Sequence, residues 1–162
     1  MQSVFNADDD MAPFMGSCVW PEARLTFSRY HGESHIPGRH LNALLNAEEA
    51  AGIALYETAV GHHRRAALLS YSGVLPLALN RDAPGPGVPR HFCPHNLREG
   101  FHALYALAKY RHDGVARELA EKSVAMILEL WSPERGWDLD RIRGLGLEYQ
   151  ACEGFVDRKS VV

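Results

Sequence analysis

The sequence predicts an all-α fold built from paired antiparallel helices. Between residues 39 and 131 apolar side chains recur at helical spacing in two helix pairs, and Gly52 and Gly114 each separate the two helices of one pair. The chain has 162 residues, of which 46% are hydrophobic and 23% are charged, as in an ordinary globular domain. We therefore expect one domain that contains two helical hairpins.

The chain divides into three parts. Residues 1–38 contain an acidic run, Pro13, Gly16 and Pro21, and they predict an irregular lead-in that ends in a loop rich in Gly, Pro and His. Residues 39–156 hold the two hairpins. The last six residues, 157–162, read DRKSVV and resemble translated read-through of a sequencing adapter, which implies that the chain is an N-terminal fragment.

The first predicted hairpin joins a helix over residues 39–51 to a second helix over residues 54–70. A connection over residues 71–94 follows and contains many Pro and Gly residues. Loops of this length inside a compact domain are usually functional or mobile. We expect this connection to form a rim or lid.

The second predicted hairpin is the better defined of the two. Leu97, Phe101, Leu104 and Ala108 lie on one face of a helix that follows His95. The return helix has a broad apolar stripe and ends before a Pro and Gly pair. That stripe comprises Ala116, Leu119, Ala120, Ser123, Val124, Ile127, Leu130 and Trp131.

The second hairpin resembles the repeating unit of the six-hairpin glycosidase-like superfamily of (α/α) toroid proteins. The likeness is carried by residues 103–107 (ALYAL), by residues 116–121 (ARELAE) and by the closing residues 131–138 (WSPERGWD). The resemblance implies an incomplete (α/α)6 toroid, because only two of six hairpins are present. It also implies a carbohydrate-binding cleft at the ends of the inner helices. Glycoside hydrolases, polysaccharide or uronide lyases and sugar epimerases share this scaffold, so the fold does not determine the reaction.

The predicted loop before the first helix holds one group of candidate site residues. Glu33 and His35 are candidate catalytic groups, while Tyr30, Arg39 and His40 are candidate substrate-binding groups. A carboxylate beside imidazoles can bind hydroxyls or transfer protons near neutral pH. The alternative is a solvated loop in which Glu33 pairs with Arg39 and the histidines pack.

The start of the helix after His95 holds a second group. Glu99 is a candidate acid or base that the histidines, including the catalytic candidate His102, would tune, and Arg98 is a candidate ligand for a carboxylate or uronate. Hydrolysis would use a pair of carboxylates, for which Glu33 and Glu99 are the candidates. His95 and Asn96 are further candidates for substrate binding. The alternative is an ordinary solvated helix face. We predict no metal site, because the spacing of His95, Glu99 and His102 differs from the HExxH pattern.

Aromatic residues supply a third group. Trp137 beside Asp138 is a candidate platform for a sugar ring, since the C–H faces of sugars stack on aromatic rings. Neither a GxSxG elbow nor a P-loop nor a Rossmann fingerprint occurs, and we predict no cofactor.

These features predict a carbohydrate-active enzyme of the glycoside hydrolase or lyase type, with a carbohydrate substrate. Two alternatives remain open, a helical-repeat module that binds a protein and a sugar epimerase on the same scaffold. A net charge of −3 gives no basic footprint for nucleic acid, and no apolar stretch is long enough for a membrane span. We expect a cytoplasmic protein, and no feature predicts its oligomeric state.

Overall fold

The computed structural model describes residues 1–151, so the predictions for residues 152–156 and for the adapter-like tail fall outside the described part. Five α-helices and nine short strands occur within it. The helices are α1 (Gly32–Ala51), α2 (Glu57–Ser70), α3 (Asn96–Tyr110), α4 (Gly114–Leu130) and α5 (Leu139–Gly144). The strands are β1 (Phe5–Asn6), β2 (Ala12–Pro13), β3 (Gly16–Cys18), β4 (Arg24–Thr26), β5 (Leu79–Asn80), β6 (His91–Phe92), β7 (Trp131–Ser132), β8 (Gly136–Trp137) and β9 (Glu148–Tyr149).

The prediction of an all-α fold made of toroid hairpins is wrong, because the structure is mixed α/β. Of the described residues, 50% are helical and 13% are in strands, and these strands form four small sheets. Three sheets are antiparallel pairs, β1–β2, β3–β4 and β7–β8, while the fourth has the order β5-β6-β9 with β6 and β9 parallel. Strands of two or three residues are too short to show the two-residue alternation by which a strand is predicted.

Helix α1 begins seven residues earlier than predicted. The segment 32–38, interpreted as a loop because of Pro37 and its glycines, forms the first two turns of the helix. Proline inside a helix removes one backbone hydrogen bond and is usually avoided. Tertiary contacts hold this segment instead, since Asn80 Oδ1 accepts hydrogen bonds from both the backbone N–H and the hydroxyl of Ser34, each at 3.0 Å.

The main core lies between α1, α2 and the hairpin of α3 and α4. Helices α1 and α3 approach each other at backbone contact, because a Cβ atom added at Gly38 would lie 1.9 Å from the carbonyl oxygen of Glu99. The buried residues of this core are Leu41, Leu45, Val60, Ala67, Tyr71, Ala78, Ala103, Leu104, Ala106, Leu107 and Ala116.

A second core lies beneath the three-stranded sheet. Much of the connection over residues 71–94 packs into it rather than forming a free rim, and the exposed part is residues 82–88. The sheet thereby carries Asn80 and His91 to the N-terminal end of α1. The buried members of this core are Leu75, Leu77, Leu79, Phe92, Leu130, Ile142 and Leu147.

Tyr71 offers a test of the main core. Its hydroxyl is buried without a hydrogen-bond partner among the described residues, and burial raises its pKa. Leaving a buried polar group unpaired costs about 1–3 kcal/mol, so Tyr71→Phe should raise the free energy of unfolding by ~1 kcal/mol in urea titrations. Tyr110→Phe is the matched control, because that hydroxyl donates to Asn46 Oδ1 at 2.6 Å and its loss should destabilise. Destabilisation by Tyr71→Phe would contradict the prediction.

Candidate functional site

The N-terminal halves of α1 and α3 bring most of the predicted site residues together. On α1, His31, His35 and Arg39 follow one another at intervals of four residues and share one side of the helix. Glu99 and His102 lie on the facing side of α3, one turn apart. The backbone contact at Gly38 brings these two sides together.

The carboxylate of Glu99 is the centre of the group. It is 4% exposed, and its Oε1 atom accepts hydrogen bonds from Arg98 Nη2 at 2.7 Å and Nε at 3.1 Å. Arg39 Nε lies 3.6 Å from the same oxygen, and His102 Nδ1 lies 3.3 Å from Oε2. Burial alone would raise the pKa of Glu99, but the hydrogen bonds from Arg98 and the nearby positive charges lower it below its usual value. Glu99 is therefore an anion near neutral pH.

Three imidazole rings lie beside this group. The rings of His35 and His95 are stacked with centroids 5.3 Å apart, and His31 meets both rings edge to face. Burial, together with the charge of Arg39, lowers the pKa of His35 to about 4. Burial also lowers the pKa of His31, and His95 and Arg39 add to that shift. His35 is therefore neutral at pH 7 and can accept a hydrogen bond.

Asn96 connects these rings to Tyr30. Its side chain is fully buried, and its Oδ1 atom lies 3.3 Å from His35 Nδ1. Its amide donates to the backbone carbonyl of Tyr30, while the ring of Tyr30 meets the ring of His91 at 6.2 Å. Asn96 therefore positions other site residues, and the substrate-binding role predicted for it has no exposed group to perform it.

Glu33 does not join Glu99. It lies about 200° around α1 from His35, and its Oε1 atom accepts hydrogen bonds from Arg81 Nε at 2.8 Å and Nη2 at 2.6 Å. The guanidinium of Arg81 also donates to both carboxylate oxygens of Asp9, at 3.0 and 2.9 Å. All three side chains are buried. The pairing of Glu33 with Arg39, our alternative interpretation, does not occur among the described ion pairs.

His40 belongs to a different contact, with His63 of α2, which in turn contacts the N-terminal segment. Its Nδ1 atom lies 3.3 Å from His63 Nε2, which also contacts the carbonyl oxygen of Met1 at 2.9 Å. The ring of Phe5 packs on His63 at 5.0 Å. Burial lowers the pKa of His63 to about 4, and its buried Nδ1 atom has no partner among the described residues. A proton on Nδ1 would therefore lack an acceptor.

Stability should consequently decrease in mild acid. The folded pKa values of His35 and His63 lie below the ordinary value of 6.5, so between pH 6.5 and about 4 the unfolded chain binds protons that the folded chain does not. Over this range, each of these two residues lowers the free energy of unfolding by up to ~1.4 kcal/mol per pH unit as the pH falls. Unfolding free energies measured at pH 7, 6, 5 and 4.5 should fall, and His63→Gln should reduce that slope. An unchanged slope in His63→Gln, or a reduced one in the exposed control His112→Asn, would contradict this assignment.

Trp137 and Asp138 line a separate hollow. It has a volume of about 390 Å³ and is also lined by Arg135 and Arg143. The ring of Trp137 packs edge to face on Phe92 at 4.9 Å, and the carboxylate of Asp138 accepts the backbone N–H of Arg141 at 3.0 Å. Asp138 thereby caps α5. No described contact joins these two residues to Glu99.

One cluster was not predicted from the sequence. Asp82, His91 and Glu148 place potential ligand atoms within 4.8 Å of one another. Arg90 also donates to both carboxylates, to Asp82 Oδ2 at 2.7 Å and to Glu148 Oε1 at 2.9 Å. Arg90 therefore supplies a positive charge against the two carboxylates, and the cluster links β6 to β9. No sequence signal indicates it, because its members are 9 and 57 residues apart and meet only through sheet pairing.

Comparison with known proteins returns no match to any family model, curated protein or solved structure. Within residues 1–151, every helix is too short or too polar to cross a membrane. The chemistry of the site therefore rests on its own geometry.

Proposed function

We propose that the protein is a carbohydrate-active enzyme whose site removes a proton from its substrate, with Glu99 and His102 as the catalytic pair. The observation that carries this proposal is the approach of His102 Nδ1 to Glu99 Oε2 at 3.3 Å. The two atoms lie at ion-pair distance. When a buried carboxylate accepts from Nδ1–H, it fixes the tautomer of the ring and leaves Nε2 as the proton acceptor, and we propose that substrate binding aligns the two groups in this way. The His102 side chain is 45% exposed, so a substrate can reach it.

Proton abstraction agrees with the lyase and epimerase alternatives better than with hydrolysis by two carboxylates. A hydrolytic pair needs a second carboxylate across the cleft, and Glu33 is held by Arg81 instead. The carbohydrate substrate itself is proposed from the resemblance of the second hairpin. His35, neutral at pH 7, is a second group that can accept a hydrogen bond beside Glu99.

Exchange with D2O provides a direct test. Neutral and acidic mono- and oligosaccharides would be incubated with the 162-residue chain in D2O, and deuterium uptake and bond cleavage followed by NMR and mass spectrometry. We expect exchange or cleavage of at least one sugar. Glu99→Gln and His102→Gln should each reduce its rate roughly 10²-fold, as for the loss of a general base.

Circular dichroism and thermal melts would confirm that each variant folds. The control is His112→Asn, which changes an exposed histidine in the turn between α3 and α4. Exchange that survives unchanged in both site variants would refute the role of the pair, and the absence of exchange with every sugar would refute the proposed activity.

A protein-binding module is the second candidate, and one surface favours it. Phe101, Tyr105, Ala120 and Val124 line an open groove of about 890 Å³ between α3 and α4. Tyr105 and Val124 are about half exposed, as in apolar grooves that receive a helix. Calorimetry with sugars separates the two candidates. The enzyme must bind a sugar at the Glu99 site, whereas a module that binds a protein in this groove needs no sugar binding.

A further inference from the structure

We infer that Arg39 and Arg98 form a binding site for a carboxylate and that the ligand is an acidic sugar. The sugar part of this inference rests on the proposed function, while the carboxylate part rests on the charges at Glu99. It assigns Glu99 a further role as the anchor of two guanidinium groups.

The first step is the balance of charge. Both guanidinium groups approach the same oxygen, Glu99 Oε1, so one anion serves two permanent cations. The other described ion pairs of arginine and lysine have at least one carboxylate for each cation, and Arg81, Arg90 and Arg111 each contact two. The site therefore has an excess of one positive charge before any contribution from His102.

The second step is exposure. Glu99 is almost completely buried, whereas the side chains of Arg39 and Arg98 are 56% and 63% exposed. Arg39 has no hydrogen bond among the described residues and approaches Glu99 only at ion-pair distance. The buried carboxylate thus anchors Arg98 through hydrogen bonds and attracts Arg39, while N–H donors of both remain available to a ligand.

The third step is the match to the ligand. Guanidinium groups bind carboxylates through paired N–H donors, and two of them on one patch neutralise the charge of a sugar acid. Neutralising a carboxylate makes the proton on the adjacent carbon easier to remove. The imidazole of His102 contacts the other oxygen of Glu99, so the proposed base is beside the proposed carboxylate site.

Calorimetric titration of the 162-residue chain tests the inference, with the methyl glycosides of glucuronic and galacturonic acid compared with those of glucose and galactose. We expect the acids to bind roughly 10-fold or more tightly than the neutral sugars. Arg39→Met and Arg98→Met should each remove most of that preference, measured as the ratio of the two affinities, and Arg98→Lys should keep part of it. Arg117→Met, on the exposed face of α4, is the control.

Equal binding of acidic and neutral sugars would overturn the carboxylate site. Binding of acetate or inorganic phosphate as tight as that of the sugar acids would overturn the assignment of an acidic sugar as the ligand. Failure of the inference is distinguishable from that of the proposed function. Proton exchange without a preference for acids overturns the carboxylate site alone. A preference for acids without proton exchange supports the carboxylate site and refutes the proposed catalytic activity.

Discussion

Gly38→Ala is expected to lower the free energy of unfolding by about 2–3 kcal/mol and to abolish activity at the Glu99 site. The added Cβ would lie 1.9 Å from the carbonyl oxygen of Glu99 and 2.6 Å from its carbonyl carbon, so α1 and α3 must move apart. Overpacking of a closely packed core costs about 1–3 kcal/mol, and a contact with backbone atoms cannot relax by rotation of a side chain. The same movement displaces Glu99 from Arg39.

Urea denaturation followed by circular dichroism measures the stability, and binding of a sugar acid reports on the site. The matched control is Gly61→Ala in α2, where an added Cβ has no neighbour within 4 Å. Alanine favours a helix interior over glycine by about 0.8–1 kcal/mol, so this control should stabilise the protein. If both variants gained stability, the backbone contact between α1 and α3 would be refuted.

Arg81→Met should produce the largest loss of stability, about 3–5 kcal/mol. The guanidinium is the common partner of Asp9 and Glu33, and all three groups are buried. Removing one member of a buried ion network leaves uncompensated charge, which is the reason for the large cost. The variant should also loosen the N-terminal segment from α1, because Asp9 of that segment and Glu33 of α1 are joined by this guanidinium.

The control for Arg81→Met is Arg90→Met, which removes an exposed arginine that likewise contacts two carboxylates. Exposed ion pairs contribute about 0–1 kcal/mol, so the control should unfold near the wild-type denaturant concentration. The double variant Glu33→Gln/Arg81→Met should recover part of the loss, since one buried charge disappears. Similar melting of both arginine variants would show that the buried network contributes little.

The two largest effects concern different sides of α1, and this separation matters for function. One side carries His31, His35 and Arg39 towards α3, and the other carries Glu33 and His40 towards the N-terminal segment. A histidine- and carboxylate-rich segment thus divides into residues placed at the candidate site around Glu99 and residues that hold the fold. Variants on the two sides should therefore affect binding and stability differently.

Part of the fold was predictable from the sequence. A helix was expected from about His95 to residues 111–113, and a return helix was expected with an apolar stripe from Ala116 to Trp131. The structure has these helices at Asn96–Tyr110 and Gly114–Leu130. Their apolar stripes repeat over four turns or more, which makes the helical period clear. The grouping of Arg98, Glu99 and His102 was also predictable, because residues three and four apart on a helix are neighbours.

Other features depend on contacts between residues far apart in the chain. Four small sheets were missed because strands of two or three residues carry no periodic signal. The early start of α1 was missed because Pro37 predicts a helix boundary, whereas the contact of Ser34 with Asn80 holds the helix through it.

The sequence by itself therefore determined the long amphipathic helices and the residue types available for chemistry, since both depend on neighbours within a few positions. Only the tertiary structure decided which of those residues meet. Glu33 binds Arg81, 48 residues away, while Arg39 reaches Glu99 across the contact at Gly38. The physical reason is that a charged side chain takes the partner that burial and backbone packing bring to it, and neither can be read from local spacing.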